Sequence, residues 1–115
     1  VGNCADPYSP KVVRATMGAC FRLPVYETDA GGLCALLERS GIPLSATALR
    51  EDTVSLEQAR LDRAAVVIGS EGSGVSPELL SRSVQTIKIP MRERCESLNA
   101  AAAAAIVLWE MARNP

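Results

Sequence analysis

Five consecutive apolar residues, Ala64-Ala65-Val66-Val67-Ile68, run straight into Gly69-Ser70-Glu71-Gly72-Ser73-Gly74 and then into Val75-Ser76-Pro77. The apolar run is β-branched over its last three positions, the pattern of a strand covered on both faces. Ser76 ahead of Pro77 predicts a helix start, with a hydroxyl to cap the free N–H groups and a proline whose missing N–H costs nothing there. A buried strand passing through a small-residue turn into a helix restricts the chain to folds whose strands are joined by helices. Those are parallel sheets with helices packed on them.

A second unit of the same kind follows about twenty residues later. Val84 to Ile89 predicts a strand, Ile89-Pro90-Met91 ends it, and Ser97-Leu98-Asn99 opens an alanine-rich helix reaching about Arg113. That helix is apolar nearly all round, which predicts burial on several sides or at a subunit interface. Upstream, Leu44 to Leu49 predicts another strand, and Cys20 to Val25 a short strand or extended segment ending near Pro24. Ser9-Pro10 predicts a short helix to about Met17. Asp29 caps a helix with Leu33, Leu36 and Leu37 on one face, stopped by Gly41 and Pro43. Val54 to Leu61 predicts an irregular turn of helix. The alternation of strand and helix gives an α/β fold with a mainly parallel sheet and flanking helices, expected as a single domain over residues 1–115.

Composition narrows the function classes. The chain is 48% hydrophobic, which excludes disorder, yet it holds one Phe, one Trp and two Tyr, too few for a base-stacking platform. Net charge is −1, so no global basic field draws in phosphate backbones. Local clusters remain: Lys11, Arg14 and Arg22 early, and Lys88, Arg92 and Arg94 late. Ordinary solvated charge is the simpler account of both. With no His, the usual neutral-pH base and the commonest metal ligand are missing, and no metal is expected. Cys4, Cys20, Cys34 and Cys95 lack paired spacing and read as reduced thiols. The longest uncharged apolar run, Ala100 to Trp109, is too short for a bilayer, and no signal peptide is visible. The expected location is the cytoplasm, with no membrane association.

Open parallel sheets bind ligands beyond the carboxyl ends of their strands, which is where both turns fall. The first turn lacks the Gly-Lys-Ser/Thr ending of a phosphate loop and the spacing of a dinucleotide fingerprint. It could simply join strand to helix, but three glycines and Glu71 exceed what a linking turn needs. Ser97 is a natural N-cap. Asn99 is a poorer helix former than the alanines after it, and its amide both donates and accepts. Glu71 can take N–H bonds, pair with an arginine or sit in solvent. Met91 could be core filler.

These residues resemble the SpoU/TrmH branch of the SPOUT RNA methyltransferases: Gly69 to Ser76, then Ile89-Pro90-Met91, then Glu96-Ser97-Leu98-Asn99 with its alanines. Asp6 to Ala15 and Gly18-Ala19 are similar to the family's middle section. The resemblance covers essentially the whole chain. It implies transfer of a methyl group from S-adenosyl-L-methionine to a ribose 2′-hydroxyl in tRNA or rRNA, a C-terminal deep trefoil knot, and a homodimer with the site near the interface. Carried over, Gly69, Ile89 and Leu98 would contact the donor through the main chain. Gly72, Pro90, Met91 and Ala100 would shape its pocket. Thr47, Ala48 and Leu49 would line its adenine side. Ser97 and Asn99 would face the reacting centre, with Glu71 ordering it. The family's first motif, an Asn-x-Gly stretch followed by the arginine that helps deprotonate the ribose, is expected upstream of Val1, so the sequence reads as truncated at its N-terminus and weak or inactive alone. The alternative is a non-catalytic module that binds S-adenosylmethionine or RNA, or a dimerisation domain.

Overall fold

The computed structural model describes residues 1, 4, 6–48, 50, 52–70, 73–91 and 99–113. The chain forms two compact units, residues 1–33 and 34–115. The first holds α1 (Pro10–Ala15), a single 3-10 turn (Ala19–Phe21) and the start of α2 (Ala30–Ser40). Ser9 caps α1 by accepting the Val12 N–H at 3.4 Å, with Pro10 at the first helical position. Asp29 caps α2 in the same way, its carboxylate accepting the Gly32 N–H at 2.7 Å. Of the short strand or extended segment expected over Cys20 to Val25, no strand forms: Gly18 at φ +89° turns the chain into the 3-10 turn, and Phe21 and Leu23 stay exposed. An apolar run without a neighbouring strand has nothing to pair its main chain.

The second unit holds four strands: β1 (Leu44–Thr47), β2 (Val54–Ser55), β3 (Ala65–Val67) and β4 (Gln85–Lys88). They lie in the order β2-β4-β1-β3, and all three pairings are parallel. The α/β class with a mainly parallel sheet is thus the observed one. The region expected as an irregular turn of helix splits into β2 and a 3-10 turn at Leu56–Gln58. The Ala64–Ile68 strand, read as buried, is half-buried, because β3 pairs with β1 alone among the described strands.

Register decides which side chains share a face. Thr47 pairs with Ile87 and Ser45 with Val66, so Ile87 and Val66 lie on the same side. There they join Leu56, Leu61 and Val107 of α4 (Ala100–Arg113) in one core cluster. Leu44 and Ala46 lie on the opposite face, where Leu44 borders a cleft with Cys34 and Leu37 of α2. The helical stripe that α2 buries is Cys34 and Leu37; Leu36, expected beside them, is exposed. α3 (Pro77–Arg82) is capped by Ser76, carries Glu78 in its first turn and Arg82 in its last, and so complements its own dipole at both ends.

Of the two expectations for α4, burial on several sides or at a subunit interface, the first is not met within the chain. Within the chain only Val107 is buried, while Leu108 and Trp109 are 64% and 70% exposed. The helix also starts later than the sequence suggests, at Ala100 and not near Ser97.

Candidate functional site

Three strands end side by side at the carboxyl edge of the sheet. Beyond β1 stands Ala48, whose N–H continues the ladder by donating to the Ile87 carbonyl at 3.2 Å. Beyond β3 come Ile68 and Gly69, and beyond β4 come Ile89, Pro90 and Met91. Parallel strands are spaced ~5 Å apart, so Gly69 and Ile89 flank the β1 terminus across about 10 Å.

The Gly69 turn is built from backbone pressed on backbone. A Cβ at Gly69 would lie 2.6 Å from the carbonyl carbon of Gly74 and 2.6 Å from the nitrogen of Val75. No side chain fits there. Gly74, at φ +67°, folds the turn back so that its N–H reaches the Ser70 carbonyl at 3.0 Å, and the Ser70 hydroxyl accepts the Ser73 N–H at 3.1 Å. Ser70 and Gly74 form an isolated antiparallel bridge that closes the ring before Val75 goes into the core and Ser76 caps α3.

Thr47 has a part that sequence reading missed. Its hydroxyl donates to the Val67 carbonyl at 3.2 Å and accepts the Gly69 N–H at 3.4 Å. Expected to line the adenine side, Thr47 also ties β1 to the glycine turn and occupies the Gly69 N–H. A ligand contact through the Gly69 main chain would then have to use its carbonyl. No sequence signal announces this bond, because its partners are 20 and 22 residues away.

Asn99 sits outside α4, as its N-cap, and not in the first turn. Its Oδ1 accepts the Ala101 N–H at 2.8 Å and the Ala102 N–H at 3.3 Å, while its carbonyl takes the Ala103 N–H at 2.9 Å. Two N–H donors converge on one side-chain atom, so that atom is the oxygen, and the amide nitrogen is left to donate only. Asn99 is exposed, and no hydrogen bond among the described residues joins it to the Gly69 turn. Ala100 follows as the first residue of α4. Leu49, Glu71, Gly72, Ser97 and Leu98 lie outside the described residues, as does the segment from residue 92 in which the expected knot would be threaded.

The donor set at this edge consists of main-chain groups, one hydroxyl and small or apolar side chains: Ala48, Ile68, Gly69, Ile89 and Met91. It suits a flat, partly apolar ligand read at its rim by carbonyl and N–H groups. A parallel α/β sheet with such a backbone-lined carboxyl edge places the molecule among the open α/β domains, which hold their ligands at that edge.

Its family follows from comparison. The model of the SpoU rRNA Methylase family matches residues 1–109, and the chain belongs to that family. It is 30% identical over 107 residues to the 23S rRNA (guanosine(2553)-2′-O)-methyltransferase RlmP of Bacillus subtilis, covering 93% of this chain and 43% of the relative. It is 41% identical over 79 residues to the tRNA (guanosine(18)-2′-O)-methyltransferase of Thermus thermophilus, covering 68% of this chain and 41% of that one. Among solved structures, an AdoMet-bound rRNA methyltransferase from Sinorhizobium meliloti superposes with a TM-score of 0.89 at 32% identity, over 97% of this chain and 43% of its own. The chain spans about two fifths of the length of the curated relatives it matches.

Proposed function

We propose that the protein transfers a methyl group from S-adenosylmethionine to a ribose 2′-hydroxyl of tRNA or rRNA. The observation that carries this reading is the side-by-side ending of β1, β3 and β4 at an edge lined by main chain. It is supported by likeness to an AdoMet-bound rRNA methyltransferase and by relatives named as 2′-O-methyltransferases. The bound donor supplies an activated methyl on a sulfonium, so the protein's work is orientation and the handling of one proton.

Each described residue has a part in that work. Ala48 and Thr47 border the adenine side, Gly69 and Ile89 offer carbonyls to the nucleoside rim, and Pro90 and Met91 wall the pocket beyond β4. Asn99, its oxygen held by α4, donates through Nδ2 toward the substrate ribose. An orienting role fits it; a proton acceptor it is not. Glu71, Gly72, Ser97 and Leu98 complete the pocket by family resemblance, together with a trefoil knot in the C-terminal segment. By family resemblance the proton acceptor would be the first-motif arginine.

A homodimer belongs to the same proposal. The exposed side of α4 carries Ala105, Ile106, Leu108, Trp109 and Ala112, and a large apolar stripe of that kind is normally covered. No helix among the described residues is long and apolar enough to cross a membrane. We place the protein in the cytoplasm with its RNA substrates.

The test uses the full-length protein, labelled S-adenosylmethionine and bulk tRNA and rRNA. A methylated 2′-oxygen blocks alkaline cleavage, so label in alkali-resistant dinucleotides is the expected result. Donor binding by calorimetry without any transfer would favour the non-catalytic alternative.

A further inference from the structure

We propose that the hydroxyl pair Thr53–Thr86 is a positioning device for the donor pocket, fastening the loop after β1 to the neighbouring strand β4. The inference rests on the reading above that this loop borders the adenine side.

Thr86 stands within β4 beside Ala46 of β1 and is 4% exposed. Valine has the same shape and a higher affinity for such a place, so a hydroxyl kept there has to be matched by a partner. Its partner is Thr53, with the two Oγ1 atoms 2.8 Å apart across 33 residues of sequence. Thr53 Oγ1 in turn accepts the Arg50 N–H at 2.7 Å, while the Thr53 N–H donates to the Arg50 carbonyl at 3.1 Å. Arg50 and Thr53 thus close a turn whose hydroxyl is anchored in the sheet. One residue further along β4, the Ile87 carbonyl holds the Ala48 N–H. Successive residues of β4, Thr86 and Ile87, therefore grip the loop at two points, Arg50 through Thr53 and Ala48 directly.

The consequence is specific. Thr86 is buried within the sheet and the Thr53 hydroxyl is bonded to it, so the pair acts through the loop rather than on the donor itself. What they set is where Ala48 and the loop stand before the donor arrives. Ordering that loop in advance lowers the cost of binding without touching the chemical step. A tether of this kind alters KM for the donor and leaves kcat alone, whereas a purely structural bond alters only the unfolding midpoint.

The experiment compares full-length wild type, Thr86→Val, Thr86→Ser and Thr53→Ala by donor titration, steady-state kinetics and amide hydrogen exchange at Arg50. Thr86→Val is expected to raise the donor KM and Kd about fivefold, the equivalent of one net hydrogen bond, with kcat essentially unchanged. Arg50 exchange quickens in the same variant without donor, and Thr86→Ser restores both. Thr53→Ala sits at a half-exposed position and gives the same readout should Thr86→Val fail to fold. A wild type that binds no S-adenosylmethionine overturns the reading of the pocket. Wild-type binding with unchanged KM and unchanged Arg50 exchange in both variants overturns the tether alone, as does a loss of kcat at constant KM.

Discussion

Asn99 caps α4 and is proposed to orient the ribose, and substitutions can separate the two. Asn99→Ala removes the acceptor of the Ala101 and Ala102 N–H groups and is expected to cost about 1 kcal/mol in stability. Asn99→Asp keeps a good cap and improves the dipole interaction, yet deletes the donating amide. Its unfolding midpoint should match wild type while methyl transfer falls at least about tenfold, the loss of one charge-assisted or transition-state contact. Equal activity in Asn99→Asp would remove the orienting role. At Gly69, alanine drives a Cβ into the Gly74–Val75 backbone. Urea titration should show a loss of about 1–3 kcal/mol, with donor binding weakened alongside. Caps at Ser9, Asp29 and Ser76 were legible in the sequence because a cap closes over three residues. The Thr47 bonds and the Thr53–Thr86 pair were not, since each joins residues that only the folded sheet brings together.

Among the elements, α3 starts where Ser76 and Pro77 predict, and it runs to Arg82. The strand ends were set one or two residues too wide, because apolar character continues past the last ladder bond at Ile68 and Ile89. The opposite error fell on residues 20–25, whose composition suits a strand that has no neighbour to pair with. α4 shows best what one chain cannot state. Its inner side is anchored by Val107, 2% exposed, while Leu108 and Trp109 on its outer side stay exposed. Val107→Ala is expected to lower stability by roughly 2 kcal/mol in chemical denaturation. Trp109→Glu should leave helix content by circular dichroism intact and convert a dimer to a monomer in sedimentation velocity. An unchanged sedimentation coefficient would assign the dimer contact elsewhere.

At the scale of the molecule, charge and topology matter more than any one contact. The chain has 12 cationic and 13 anionic side chains, so RNA affinity cannot come from a broad field. If both basic clusters engage single-stranded phosphates, six neutralised charges give a log–log salt slope on the order of −4. Filter binding over a salt series should find that value or a shallower one; a much steeper slope would require cations outside these clusters.

The strand order β2-β4-β1-β3 carries one more consequence, for the protein as it leaves the ribosome. The last strand made, Gln85–Lys88, occupies the slot between the first two and supplies the only described pairing that β2 has. Synthesis order is therefore not assembly order. A nascent chain halted before Gln85 carries β1 with one side open and β2 with no ladder at all. Parallel pairings over such sequence distances are slow to form and leave apolar edges exposed while they wait. Chaperone demand should accordingly persist until β4 has emerged, and fall once it has closed the gap.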